Sequence, residues 1–141
     1  VQERLVHAGE VPWTEVRATQ FHEFARLIYG VAALGPIQLT PRMVSQPIAA
    51  REVAERLVEL AEAAPAGLVA ELAGPRVERM ARMVRAYAAA IGKRGPVIEV
   101  PLPGPAGKAL RDGTLLPDPT LQPPAQLGLQ TFDEWIAALR E

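Results

Sequence analysis

A chain of 141 residues that is 49% hydrophobic and 22% charged has the size and composition of one globular domain rather than of a disordered segment. Fifteen basic residues against sixteen acidic residues leave a net charge of −1, which excludes a general electrostatic attraction to nucleic acid or to anionic lipid. The absence of cysteine excludes disulfides, thiolate zinc sites and a cysteine nucleophile.

The first residues predict a polar helix and not a secretory signal, because residues 1–9 contain no long apolar run. No stretch of about 18 apolar residues that could cross a bilayer occurs in the sequence. We therefore expect a cytoplasmic protein that does not bind membranes. The sequence begins with Val1 rather than methionine and with the polarity of a helix interior, so we expect it to begin inside a longer element.

The first part of the chain predicts a helix, a strand and a second helix. Residues 2–8 are helix formers, and Gly9 follows at a typical C-cap position. Residues 13–17 predict a short strand, in which Glu15 requires a solvated face or a polar partner. The second helix has apolar residues at helical spacing and ends before Gly35. Its expected buried stripe is Phe21, Phe24, Ala25, Ile28 and Val31 or Ala32.

The middle of the chain predicts two short strands and a long amphipathic helix. The strands are expected at residues 37–39 and 44–48, with Pro47 at an edge or a strand end. Residues 50–63 predict the helix, whose charged face includes Glu52. Its expected buried stripe is Val53, Leu57, Leu60 and Ala61.

A further helix and strand are predicted after a short apolar run. The run occupies residues 68–72 and stops at Gly74, and the helix that follows ends at Gly92. Residues 97–100 predict a strand, which a proline-rich stretch ends. The expected buried stripe of the helix is Val77, Met80, Val84, Tyr87, Ala88 and Ile91.

The last part of the chain predicts two helices joined by an extended segment. Residues 106–112 predict a short helix, and residues 113–129 hold four prolines without a clear period, which is typical of an extended crossing segment. Residues 131–140 predict a terminal helix that starts with a capping box between Thr131 and Glu134. Its expected buried face is Phe132, Trp135, Ile136 and Leu139.

Strands and helices thus alternate through most of the chain, which is typical of α/β layers and predicts a single domain over residues 1–141. Open α/β sheets bind ligands where a strand leads through a polar loop into a helix, because the strand's carboxyl end and the helix N-terminus face one crevice. Residues 11–24 have this pattern. The pattern alone leaves open whether Thr19 and Gln20 contact a ligand or cap the following helix.

Residues 12–14 (Pro-Trp-Thr) and 17–24 (Arg-Ala-Thr-Gln-Phe-His-Glu-Phe) resemble the segment that follows the catalytic helix in NmrA-like, NAD(P)-binding relatives of the short-chain dehydrogenases/reductases. Weaker similarities to the same family continue along nearly the whole chain. They occur at residues 46–57, 72–75, 100–104 and 131–135.

This resemblance implies the C-terminal part of a Rossmann-like fold, namely the last sheet strands plus the small substrate-binding lobe, without the N-terminal dinucleotide-binding half. In that family the loop after this strand lies beside the nicotinamide, so the resemblance implies NAD or NADP as cofactor of the complete protein. It implies substrate contacts for Phe24 and Gln46. The residues that it assigns to the cofactor are Ala18, Thr19, Gln20 and Phe21.

The chain departs from the family pattern where the cofactor is held and reduced. It has no Gly-x-x-Gly-x-x-Gly turn that could approach a pyrophosphate. Neither Tyr29 nor Tyr87 is followed by lysine four residues later, as the family's Tyr-x-x-x-Lys pair requires. Glu15 stands where relatives are apolar, and Ala49 where an aspartate is usual. We therefore predict no catalytic residue in this chain.

Together these features predict the C-terminal part of an NAD(P)-dependent oxidoreductase or cofactor-sensing protein of NmrA-like type, which is inactive alone. The alternative is a stand-alone, non-enzymatic module derived from that fold, which binds a partner or dimerises and carries no cofactor. An isolated half-sheet has an unpaired edge, so we expect either a homo-oligomer or association with an N-terminal half. A small-molecule ligand is compatible with both hypotheses.

Other candidate sites have less support. His7 and His22 have no carboxylate at metal-ligand spacing, so we predict surface or core histidines and no metal site. Ser45 is the only serine and lies in no Gly-x-Ser-x-Gly elbow, which argues against serine hydrolysis. A run of charged residues predicts a solvated helix face in preference to an anion-binding patch. These residues are Arg76, Glu78, Arg79, Arg82 and Arg85.

Overall fold

The structure, a computed structural model, describes residues 2–139 and contains six helices and nine short strands within them. The helices are α1 (Gln2–His7), α2 (Phe24–Val31), α3 (Ala50–Glu62), α4 (Met80–Ala90), α5 (Gly104–Arg111) and α6 (Phe132–Ala138). The strands are β1 (Thr14–Glu15), β2 (Ala33–Leu34), β3 (Ile37–Pro41), β4 (Val44–Ser45), β5 (Gly67–Leu68), β6 (Leu72–Ala73), β7 (Glu78–Arg79), β8 (Val97–Val100) and β9 (Gln126–Leu127). The fold is mixed α/β with small sheets.

Two parallel strand pairs form the part of the molecule that carries the candidate site. β1 pairs in parallel with β5, and β6 pairs in parallel with β9. A bridge between Ala18 and Leu72 joins the continuation of β1 to β6. Parallel neighbours need a long crossover connection, and α2 and α3 lie in the chain between β1 and β5. Among the described residues, β1 has a paired strand on one side only.

A three-stranded sheet in the order β2-β3-β8 forms a second part of the fold. β2 and β3 make an antiparallel hairpin, and β3 pairs in parallel with β8. The hairpin turn contains Gly35 at a φ of 62°, a left-handed conformation that glycine adopts without a steric penalty. A separate antiparallel pair, β4 with β7, places Val44 opposite Arg79.

The main hydrophobic core lies between α2, α4 and α6. Its fully buried members are Ala25, Met43, Met80, Met83, Val84, Phe132 and Ile136. A smaller cluster beside α3 consists of Ile48, Val53 and Leu72, against which Val16 packs. Helical spacing on three separate elements therefore produces one shared core, as expected for amphipathic helices.

The predicted helices and strands are largely confirmed, with bounds that differ by a few residues. α3 and β8 occupy nearly the predicted residues, and the predicted capping box of α6 forms through both of its hydrogen bonds. The extended segment at 113–129 is interrupted by β9, because residues 126–127 pair with β6. The predicted end of the terminal helix at Arg140 lies outside the described residues, as does Val1.

The predicted buried stripes were wrong at several positions. Val77 precedes β7 instead of belonging to α4, and the chain reaches helical conformation only at Met80. Glu78, predicted on a solvated helix face, is a buried strand residue. The apolar side chains that were predicted to be buried but are exposed are Phe21, Val31, Leu57, Ala61, Val77, Ile91 and Leu139. The other described residues leave each of these side chains uncovered.

Glu15 has the polar partners that its place in a strand predicted. Its carboxylate lies 2.7 Å from Nε2 of His7 and 3.3 Å from Nε of Arg17. Arg17 also donates two hydrogen bonds to Glu3, which raise the pKa of Arg17 and lower that of Glu3. The imidazole of His7 stacks on Trp13, so α1 is tied to β1 by side chains from both elements.

Within residues 2–139, no helix is both long enough and apolar enough to cross a membrane.

Candidate functional site

Residues 18–21 continue from the carboxyl end of β1 and are held by backbone hydrogen bonds on two sides. The N–H of Thr19 donates to the carbonyl of Leu72 at 2.9 Å, and the carbonyl of Gln20 accepts from the N–H of Ile48 at 2.9 Å. A parallel bridge also pairs Phe21 with Ile48. The segment therefore links β6 to the chain that follows β4, and its backbone position is fixed.

The four predicted cofactor residues differ in what they offer a ligand. Thr19 is buried, and its hydroxyl donates to the carbonyl of Gln46 at 2.5 Å, so this hydroxyl holds the loop in place. Gln20 has a side-chain carbonyl that is buried without a hydrogen-bond partner among the described residues. Ala18 and Phe21 are exposed. Of the four side chains, Phe21 therefore presents an exposed ring, and Gln20 a carbonyl that makes no hydrogen bond but is shielded from solvent.

The two predicted substrate residues lie in different surroundings. Gln46 donates through its side-chain amide to the carbonyl of Gly74 at 2.7 Å and lines a cleft. Phe24, at the start of α2, packs against the main core and is not among the residues that line this cleft. The structure brings Thr19 and Gln46 together, and it packs Phe24 against the main core instead.

The cleft at Gln46, which we call the Gln46 cleft, has a volume of about 410 Å³. Its walls come mainly from the proline-rich segment, and they are Gln46, Asp112, Gly113, Leu116, Pro117, Asp118, Pro119, Pro124, Ala125 and Leu127. This volume falls within the range of about 300–1,000 Å³ that is usual for small-molecule sites. A largely apolar wall with a few polar groups suits a small apolar ligand that carries one hydrogen-bonding group.

One acidic group in this wall is already engaged. Oδ1 of Asp118 accepts from the N–H of Thr120 at 2.8 Å and from its hydroxyl at 2.6 Å, and these bonds lower the pKa of Asp118. Asp118 therefore stays ionised and stabilises a turn in the wall. The ionisable side chains of the wall are Asp112 and Asp118, and it contains no histidine, lysine, tyrosine or cysteine.

Glu52, on α3, holds residues 129–130 in position. The sequence had indicated only that Glu52 lies on the charged face of its helix. One carboxylate oxygen accepts from the N–H of Leu129 at 2.7 Å and from that of Gln130 at 3.2 Å. The other oxygen is buried beside Gly128, where a Cβ would collide with it. Helical periodicity could not reveal this role, because the partners lie 77 and 78 residues further along the chain.

His22, which follows the candidate loop directly, is a core residue. Its ring is fully buried, Nε2 donates to the carbonyl of Gln130 at 3.1 Å, and Phe132 and Trp135 flank it. Burial lowers the pKa of His22, and this effect exceeds the opposing influence of nearby carboxylates. His22 therefore joins the loop to α6 as a neutral imidazole.

The described part of the chain contains no group of three or more His, Cys, Asp or Glu side chains arranged to hold a metal ion. The comparison of the sequence with protein-family models and with curated proteins found no match.

Proposed function

We propose that this chain is the substrate-side, C-terminal portion of an NAD(P)-dependent oxidoreductase or cofactor-sensing protein of NmrA-like type, and that it is inactive alone. The position of residues 18–21 at the carboxyl end of a parallel strand, next to Gln46, is the observation that carries the proposal. Open α/β sheets bind ligands at this end. The resemblance of residues 17–24 to the NmrA-like segment points to NAD or NADP as the ligand.

The residues of the loop have distinct roles in this proposal. Phe21, whose ring is exposed, and Gln20, whose side-chain carbonyl has no hydrogen-bond partner among the described residues, would hold the nicotinamide. Thr19 holds the loop to Gln46. NAD(P) supplies the hydride chemistry when bound, while the residues of this chain orient the nicotinamide and, in the Gln46 cleft, the substrate.

The pyrophosphate of the cofactor needs a Gly-rich turn, and the sequence of this chain contains none. A further half that supplies the turn is therefore part of the proposal. The open side of β1 is the position where a strand of that half adds to the sheet. The sequence of this chain lacks the Tyr-x-x-x-Lys pair that supplies the proton in the family it resembles, so the proposal also assigns that group to the other half.

The experiment is to express the chain together with the reading frame that precedes it and to titrate the product with NADP⁺ and NAD⁺. We expect saturable binding at micromolar concentration. Phe21→Ala is expected to weaken binding by about three- to tenfold through the lost ring contact. Leu27→Ala changes another exposed apolar residue, on α2, and we expect it to leave the affinity unchanged. A product without a Gly-rich turn, or one that binds neither nucleotide, would overturn the proposal.

A stand-alone dimerisation module is the second candidate, and the open side of β1 favours it. Leu5 and Val6 on α1, and Val11 ahead of β1, are exposed apolar residues near this edge. A second copy of the chain that pairs along β1 would cover them. Light scattering on the purified chain tests this candidate. The dimerisation candidate requires that the purified chain is a dimer. The double variant Leu5→Glu, Val11→Glu should then be a monomer, and the control Leu27→Glu should remain a dimer.

A further inference from the structure

A second cleft, which we call the arginine cleft, lies apart from the Gln46 cleft and shares no lining residue with it. Its volume is about 280 Å³. Its walls consist of Arg42, Met43, Val44, Arg79, Glu99 and Arg111. Three guanidinium groups that are far apart in the sequence thus line a single small space.

Backbone contacts bring these arginines to the same place. Arg79 lies in β7 directly opposite Val44 in β4, so it is two residues in register from Arg42. The N–H of Arg42 donates to the carbonyl of Val100 at 3.0 Å, which anchors it to the end of β8. Arg111, at the end of α5, donates through its guanidinium to the carbonyl of Leu102 at 2.8 Å. The arginine cleft is therefore built on paired strands and an anchored helix end.

The charge of the arginine cleft is not balanced by carboxylates, whereas Arg56 and Arg82 each have a close ion-pair partner. Arg56 and Arg82 lie 2.8 and 2.6 Å from carboxylate oxygens. In the arginine cleft the only carboxylate is that of Glu99, 3.9 Å from Nε of Arg42. The guanidinium of Arg79 has no hydrogen-bond or ion-pair partner among residues 2–139, although its backbone pairs with β4. The walls therefore carry two more positive than negative charges.

A guanidinium group offers a planar fork of N–H donors that fits the oxygens of phosphate or carboxylate. A phosphate monoester has a charge of about −1.5 to −2 at pH 7, which matches the excess of this cleft. A single carboxylate would neutralise only half of it. We propose that the arginine cleft binds a small molecule that carries a phosphate monoester. The volume, near the lower end of the usual range of about 300–1,000 Å³, suits a compact ligand.

The test is a calorimetric titration of the purified chain with glycerol phosphate at pH 7.5. We expect saturable binding with one site, and Arg79→Ala should raise Kd by about tenfold because a charge-assisted contact is lost. The side chain of Arg79 is exposed, so this variant keeps the fold, which circular dichroism checks. Arg51→Ala is the control, because Arg51 lies on the exposed face of α3 beside Glu55. It should leave Kd within twofold of the original value, roughly the effect of a distant surface charge.

Two further measurements distinguish a specific binding site from non-specific attraction of the ligand to positive charge on the protein. Glu99→Gln removes the only negative charge of the arginine cleft and should tighten binding. Dimethyl phosphate, a diester with a single charge, should bind more weakly than glycerol phosphate. Absence of saturable binding, equal weakening by Arg79→Ala and Arg51→Ala, or equal affinity for the two phosphates would each overturn the proposal. None of these results depends on NAD(P) binding at residues 18–21.

Discussion

Burial controls the charge of His22 more strongly than the neighbouring carboxylates do. Because the pKa of the buried ring lies below the value of about 6.5 that an exposed histidine has, the folded state prefers the neutral imidazole. The stability that this preference contributes is complete above pH 6.5 and is lost as the pH falls through the lowered pKa.

We therefore expect the free energy of unfolding to fall between pH 7.5 and pH 5. The decrease should be smaller in His22→Phe, which keeps an aromatic ring but cannot be protonated. Urea unfolding of both proteins at the two pH values measures the difference, and all other titrating groups are common to them. Equal pH dependence of the two proteins would show that His22 does not control acid stability.

Gly74 permits the close approach of two chain segments beneath the candidate loop. A Cβ at this position would overlap the carbonyl oxygen of Pro47, a backbone atom that cannot move without disturbing Ile48. We expect Gly74→Ala to lower the free energy of unfolding by about 1–3 kcal/mol, the usual effect of overpacking. Gly30→Ala is the matched control, since a Cβ there meets nothing within 4 Å and alanine favours the helix. Chemical denaturation measures both variants. Gly74→Ala should lower the free energy of unfolding, whereas Gly30→Ala should raise it or leave it nearly unchanged.

The capping box of α6 is the clearest case of an element whose start is set by local chemistry. Thr131 Oγ1 accepts from the N–H of Glu134, and the carboxylate of Glu134 accepts from the N–H of Thr131 at 2.7 Å. The second bond lowers the pKa of Glu134. Because α6 carries Phe132 and Ile136 into the main core, fraying at its start also loosens tertiary packing.

Thr131→Ala is expected to destabilise the protein by about 1 kcal/mol, a typical effect of losing an N-cap side chain. Thr114→Ala replaces an exposed threonine outside any helix start and should change stability by less than about 0.5 kcal/mol. Thermal unfolding compares the two variants. Equal effects would mean that the cap does not stabilise α6.

The sequence predicted best the elements whose formation depends on residues that are close together in the chain. The apolar spacing of α3 and the Thr131–Glu134 pair of α6 are local signals, and both elements form. The contact between Glu52 and Gln130, and the one between Gln46 and Gly74, join distant segments and have no local signal. The exposure of Leu57 could not be predicted either, because spacing shows which residues share a face but not whether a neighbour covers it.

At the scale of the molecule, the two clefts and the open strand edge are the features on which the proposals rest. The Gln46 cleft lies between Gln46, the proline-rich segment and the end of β9, and the arginine cleft is lined from β4, β7, β8 and the end of α5. The candidate site was predictable in part, because the motif at residues 17–24 indicated the loop. The proline-rich wall was not, since residues 113–125 have no period that predicts how they pack.

Calorimetric titration of the purified chain alone with NADP⁺ and NAD⁺, together with its mass in solution, tests the central claim most directly. The account predicts no saturable binding of either nucleotide, because in the proposal residues 18–21 would reach only the nicotinamide end and the sequence has no Gly-rich turn to hold the pyrophosphate. Saturable binding at micromolar concentration by the chain alone would contradict it. In that case the cofactor site would be complete within this chain or between two copies of it.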